Sequence, residues 1–296
     1  MTRYAAGRMF FQPESSLVTE VVRSDNHGER AGGKQPDMIV LHYTGMADSE
    51  AALQRLCTPQ SEVSAHYFVW EDGRILQCVP EGRRAWHAGD SFWAGETDIN
   101  SCSIGVEIAN PGHDLGYPDF PLRQVAATIA LCRGIVIRRQ IPPARVLAHS
   151  DVAPGRKRDP GEKFPWALMH GANVGNWVEP APITSGPSFQ KGDRNQAIER
   201  MQAGLAEYGY GIKVTGEFDQ ATFDVVTAFQ RHFRPAKVDG IADSSTLVTL
   251  RNLLEAGRRA ALTPARPLPK SAASVGWTAA PAGPKGRWGG KSGLHG

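Results

Sequence analysis

Two six-residue stretches constrain this chain most. Met38–Tyr43 and Ser103–Ile108 are short, nearly continuous apolar runs, and each carries a single ionisable side chain near its end, His42 and Glu107. Runs of this length without polar alternation fit strands buried on both faces. A third short strand, Val146–Ala148, runs directly into His149. His66–Trp70 and Ile75–Val79 flank Glu71-Asp72-Gly73-Arg74 and read as a hairpin. Asp48 is placed to cap a helix over Ser49–Cys57. Pro121 opens a helical pattern to about Arg139, with Val125, Ile129, Cys132 and Val136 on one face. This mixture predicts an α/β domain built on a mixed central sheet flanked by helices.

The rest of the chain divides around that domain. Residues 1–37 read as an irregular segment rich in turn formers, and 38–175 as the α/β domain. Residues 176–187 hold Pro180, Pro182, Gly186 and Pro187 and read as a linker. Within 188–256, Gln196–Glu207, Ala221–Phe233 and Ser244–Leu254 read as three helices of a small all-α domain. Two similar turns separate them, each with a Gly, an apolar residue, an Asp placed as N-cap (Asp219 and Asp243) and a Thr. Residues 257–296, rich in Pro, Gly, Ala and Ser, are expected to be a disordered basic tail.

Charge excludes one function class. The net charge is +3, but Arg266, Lys270, Lys285, Arg287 and Lys291 lie in the tail, which holds no acidic residue. Residues 1–260 keep 28 basic and 30 acidic side chains, a net −2, so nothing points to nucleic acid. Cys57, Cys78, Cys102 and Cys132 form no CxxC pair and do not read as a disulfide framework. No run is long enough to span a bilayer. No early segment has the form of a secretory signal, so the expected location is the cytoplasm, with the periplasm or cell envelope as the alternative.

Three separated polar side chains carry the chemistry: His42, His149 and Asp159, the last in the charge-rich loop Pro154-Gly-Arg-Lys-Arg-Asp-Pro-Gly161. Two imidazoles and a carboxylate form a ligand set that leaves the fourth position of a tetrahedral Zn²⁺ open, as in a catalytic site. Asp159, surrounded by cations, is expected to be ionised. Glu107, a lone carboxylate in an apolar strand, is costly unless paired or functional.

The segments Ile39-Val-Leu-His-Tyr-Thr44, Val63-Ser-Ala-His-Tyr-Phe68, Ala85-Trp-His-Ala-Gly89, Ser103-Ile-Gly-Val-Glu-Ile-Ala-Asn110, Ala148-His-Ser-Asp-Val-Ala-Pro-Gly-Arg-Lys-Arg-Asp-Pro160 and Phe164-Pro-Trp166 together resemble the zinc-dependent N-acetylmuramoyl-L-alanine amidases of the type-2 family. The resemblance covers about Met38 to Trp166. It implies one catalytic Zn²⁺ on His42, His149 and Asp159, with Glu107 as catalytic carboxylate and Lys157 facing the substrate. It also implies hydrolysis of the bond between the lactyl group of N-acetylmuramic acid, ordinary or anhydro, and L-alanine of peptidoglycan or a muropeptide. Related non-catalytic peptidoglycan-recognition proteins lose a metal ligand, whereas this chain keeps all five residues. No HExxH helix supports a zinc protease.

Four neighbours are candidate substrate contacts. Tyr43 should point away from His42 by strand alternation, or line the cleft. His66 is either a contact or a core histidine, and the resemblance gives His87 a substrate contact. Trp93 either stacks on a sugar or closes a loop. His27, His113 and His170 sit in polar contexts and read as solvated. Residues from about Ser188 to Leu254 resemble the three-helix peptidoglycan-binding domain of wall hydrolases, carried by Leu205-Ala-Glu-Tyr-Gly-Tyr210, Thr215-Gly-Glu-Phe-Asp219, Ala228-Phe-Gln-Arg-His-Phe233 and Val238-Asp-Gly240. Such a domain holds the polymer and raises local substrate concentration. Oligomeric state is not legible in the sequence.

Overall fold

The computed structural model describes residues 11–262. The first part runs β1 (Val18–Val21), β2 (His27–Gly28), β3 (Met38–Tyr43), α1 (Ser49–Cys57), β4 (Tyr67–Val69), β5 (Ile75–Gln77), β6 (Arg84–Ala85), α2 (Ile99–Cys102), β7 (Ser103–Ile108), α3 (Leu122–Arg139), β8 (Val146–Ala148), α4 (His149–Val152) and α5 (Trp166–Gly171). The second part runs β9 (Ser188–Phe189), α6 (Gln196–Tyr208), α7 (Gln220–Phe233), β10 (Ala242–Asp243) and α8 (Ser244–Leu262).

Six strands form one mixed sheet in the order β1-β5-β4-β7-β3-β8. The two apolar runs are its centre: β3 pairs in parallel with β7 on one side and β8 on the other. Parallel central strands need both faces covered, and Met38, Ile39, Val40 and Leu41 are fully buried. The hairpin expected between Tyr67 and Gln77 forms as antiparallel β4–β5. Asp48 caps α1 by accepting from the backbone N–H groups of Glu50 and Ala51.

Several boundaries differ from the sequence reading. Residues 1–37 were expected to be irregular, yet β1 adds an edge strand parallel to β5, and β2 pairs with β6. The buried Arg30 guanidinium donates to the carbonyls of Glu81, Asn100, Ser101 and Ser103, tying this segment to the start of β7. Such short strands bury too little apolar surface to leave a pattern. Helix α3 is rotated from expectation: it buries Gln124, Val125, Thr128, Leu131, Cys132 and Ile135, while Ile129 and Val136 are only partly buried. Gln124 earns its inward place by donating to the carbonyls of Val69 and Ala109. Residues 257–262, expected to open the tail, are instead helical, because α8 continues to Leu262; the rest of the expected tail, residues 263–296, lies outside the described residues.

The second domain holds the three expected helices, plus a two-residue β9–β10 ladder. Its repeated turns are repeated hydrogen-bond networks. Asp219 and Asp243 accept from the N–H groups of Thr222 and Thr246. Gln202 and Gln230 each accept from two turn N–H groups and donate to that same threonine. Residues 176–187 contain no helix or strand, but they are docked: Trp177 packs on both cores, and Ala181 exchanges hydrogen bonds with Thr249 and Ser245. One apolar cluster runs through both domains, joining Met38, Val40, Trp93, Leu147 and Val152 to Ile198, Tyr210, Phe229 and Phe233.

Candidate metal centre

Sheet register builds the site. In the β3–β7 ladder His42 lies opposite Glu107, and in the β3–β8 ladder Leu41 lies opposite Ala148. The residue after β8, His149, therefore emerges beside His42 at the same sheet end. Asp159 returns to this point because its carbonyl accepts from the N–H of Ser150 at 3.0 Å. His42, His149 and Asp159, all buried, form a group able to hold a metal ion.

The ligand atoms converge. His42 Nδ1 lies 2.9 Å from His149 Nδ1 and 3.2 Å from Asp159 Oδ2, and His149 Nδ1 lies 2.9 Å from the same oxygen. The outer nitrogens are already committed. His149 Nε2–H donates to the carbonyl of Ala88 at 3.1 Å. His42 Nε2–H donates to His87 Nδ1 at 3.0 Å, and His87 Nε2–H donates to Ser103 Oγ at 3.2 Å. With those protons placed outward, two imidazole lone pairs and a carboxylate oxygen face one another. Buried acceptors repel unless a cation lies between them. Their spacing is near the roughly 3.3 Å edges of a tetrahedron with bonds of about 2.0–2.1 Å. The residues fit a divalent ion.

The electrostatics agree. Burial first, and then the neighbouring His149, push His42 down to about 4, so it is a neutral imidazole at neutral pH. Burial works to raise Asp159, but the two histidines outweigh it and hold the carboxyl well below the usual range. Glu107 goes the other way: burial and the Asp159 charge push it far up, with Lys157 opposing. Its Oε2 is buried with no hydrogen-bond partner. A bound cation would invert that repulsion and favour the carboxylate.

The three ligands open onto a cleft of about 400 Å³ whose lining includes Tyr43, His87, Glu107 and Lys157. Tyr43 thus lines the cleft, with its hydroxyl 2.9 Å from His113 Nδ1. His87 reaches the cleft but chiefly orients His42; its ring lies over Gly105, where a Cβ would come within 2.5 Å of His87 Cγ.

Two candidate substrate contacts lie elsewhere. His66 is fully buried: Gly105 N–H donates to its Nδ1, and its Nε2–H donates to the carbonyl of Arg83. Trp93 is also buried, packed edge-on against Tyr208 and Tyr210 of the second domain. His113, read as solvated, instead stacks on Tyr117 and bonds Glu162. Sequence reasoning missed Asp151, which is fully buried two residues beyond His149. It accepts from Ala148 N–H at 2.8 Å, Tyr210 Oη–H at 2.6 Å and His232 Nδ1–H at 2.6 Å. His232 in turn stacks on Trp166. The turn bearing His149 is therefore bolted to the second domain. The one available signal was a carboxylate in the apolar context Ser150-Asp-Val-Ala153.

With this geometry in place, the class is defined. The N-acetylmuramoyl-L-alanine amidase family model matches residues 32–162, and a peptidoglycan binding domain model matches residues 194–250. The chain belongs to the N-acetylmuramoyl-L-alanine amidase family. It is 35% identical over 230 residues to the N-acetylmuramoyl-L-alanine amidase AmiD of Escherichia coli, covering 74% of this chain and 82% of that protein. It is 38% identical over 164 residues to the 1,6-anhydro-N-acetylmuramyl-L-alanine amidase AmpD of E. coli, covering 49% and 87%. The structure of E. coli AmiD with anhydro-N-acetylmuramic acid-L-Ala-D-gamma-Glu-L-Lys superposes with a TM-score of 0.66 at 34% identity, covering 77% of this chain and 91% of that one. AmpDh3 of Pseudomonas aeruginosa does so with 0.63 at 30%, covering 84% and 99%.

Proposed function

We propose that this protein hydrolyses the amide between the lactyl group of N-acetylmuramic acid, or its anhydro form, and the L-alanine of a peptide stem such as L-Ala-D-γ-Glu-L-Lys, in wall degradation or recycling. The observation that carries the chemistry is the convergence of three lone-pair donors within 2.9–3.2 Å beside an unpartnered buried carboxylate. We assign the ion to Zn²⁺, held by His42, His149 and Asp159.

Bound there, Zn²⁺ supplies a Lewis acid for the scissile carbonyl and lowers the pKa of water to about 7. The chain supplies the rest. Glu107 takes a proton from the attacking water and returns it to the alanine nitrogen as the C–N bond breaks. Lys157 brings positive charge to the carbonyl oxygen as it becomes anionic. His87 and the Ala88 carbonyl fix the imidazoles so that both Nδ1 atoms face inward.

The test is His149→Ala with release of stem peptide and bound zinc measured together. Both should be lost; full activity with unchanged metal content would overturn the assignment.

A further inference from the structure

A second cleft, of about 270 Å³, lies between the loop that ends in Asp159 and helix α7 of the second domain. The loop contributes Gly155 through Arg158, and α7 contributes Asp224 and Arg231. Arg156, Lys157 and Arg158 line this cleft and the metal cleft alike, so the two are separated by one strand of loop. Gly155 allows the close approach, since a Cβ there would meet the Asp224 carboxylate at 2.8 Å.

The cations of this cleft are not equally engaged. Arg156 donates to the carbonyls of Ala88 and Asp90, and Arg158 pairs with Asp114 at 2.6 Å. Asp224, the one carboxylate in the lining, accepts from Gln220 at 2.8 Å. Arg231 differs. Its side chain is only 13% exposed, its nearest carboxylate oxygen is on Glu162 at 3.9 Å, and its buried Nε has no hydrogen-bond partner. A guanidinium stays protonated even when buried, and a buried donor left unpaired is costly. Arg231 is also joined to the metal cleft, because Glu162 bonds His113 and His113 bonds Tyr43.

We propose that this interdomain cleft is the subsite for the terminal carboxylate of the stem peptide, with Arg231 of the second domain as its principal ligand and Arg158 beside it. The inference rests on the muramoyl–alanine amidase reading. A stem whose first amide is being cut must leave the metal cleft along its peptide side, and an extended tripeptide reaches roughly 10 Å. The loop Arg156–Arg158 lines both clefts, so a stem that crosses it from the metal cleft enters this one. Guanidinium groups match carboxylates in geometry as well as charge. The second domain is then part of the substrate site and does not act only as a tether to polymer.

The experiment compares anhydromuramyl-L-Ala-D-γ-Glu-L-Lys as free acid with its C-terminal carboxamide. On the wild-type enzyme the amide should raise KM roughly tenfold with kcat little changed, the size expected for one charge-assisted hydrogen bond. Arg231→Gln should raise KM for the acid by a similar factor and remove the acid–amide difference, while Arg231→Lys restores part of it. Equal KM for acid and amide on the wild type, which needs no variant to fold, would overturn the proposal. So would an Arg231→Gln enzyme that keeps the full discrimination. Failure to cut either compound would instead sink the amidase reading itself.

Discussion

Replacing Asp151 with alanine should damage both the stability of the protein and its metal site. The carboxylate is fully buried and accepts three hydrogen bonds, from Ala148 N–H at 2.8 Å, Tyr210 Oη–H at 2.6 Å and His232 Nδ1–H at 2.6 Å. Truncation leaves three buried donors facing an apolar gap. Breaking a buried polar pair on one side costs about 3–5 kcal/mol, a large share of the 5–15 kcal/mol that typically stabilises a folded protein. Asp151→Asn should cost much less. The amide oxygen can take the place of Oδ2, which serves Ala148 and His232, while the Tyr210 hydroxyl turns to accept from the amide. Tyr210→Phe leaves only Oδ1 unserved and should cost about 1–3 kcal/mol. Urea unfolding followed by circular dichroism gives the stability order. Because one apolar cluster spans both domains, the wild type should unfold in a single transition. Zinc affinity, by chelator competition, should fall about 10–100-fold in Asp151→Ala, since His149 lies in the same turn. Two separate transitions, with only the later one shifted, would refute this reasoning. An Asp151→Ala protein within about 0.5 kcal/mol of wild type would do the same.

Two other predictions address the site and its support. Glu107→Gln should keep its zinc yet lose about 10²–10⁴ in kcat; a variant that loses metal in proportion to activity would make Glu107 a structural residue. The His66 imidazole, pushed down to about 3 by burial and then by Arg30, should make the fold acid-sensitive. Its folded pKa lies below the unfolded value of about 6.5, so the unfolded state binds the extra proton and stability is lost as pH falls from 6.5 toward 3. At pH 5 this group alone costs about 2 kcal/mol. His66→Gln should flatten the stability–pH slope in that window by close to one proton, and an unchanged slope would contradict the assignment.

The central strands were readable because they are buried on both faces, so Met38–Tyr43 and Ser103–Ile108 left nearly unbroken apolar runs against which His42 and Glu107 stand out. The ligand set was readable through those runs and the loop around Asp159. Tyr43 was ambiguous because both readings hold: alternation keeps it on the face of Ile39 and Leu41, and at the strand end it still borders the cleft. His66 and Trp93 stayed open between two readings for a shared reason: an imidazole or indole satisfied in a core looks the same in sequence as one facing a substrate. The interdomain partners were invisible. Asp151 and His232 are 81 residues apart, and nothing local marks a carboxylate as the bolt between two domains. Arg231 hid in the same way, as one more charge on an amphipathic helix.

The most direct test is to incubate the purified enzyme with anhydromuramyl-L-Ala-D-γ-Glu-L-Lys and identify products by mass spectrometry, before and after chelation and after zinc is returned. The expected products are free anhydro-N-acetylmuramic acid and the intact tripeptide, abolished by the chelator and restored by zinc. Cleavage between amino acids of the stem, or cleavage that the chelator leaves untouched, would contradict a zinc amidase built on His42, His149 and Asp159.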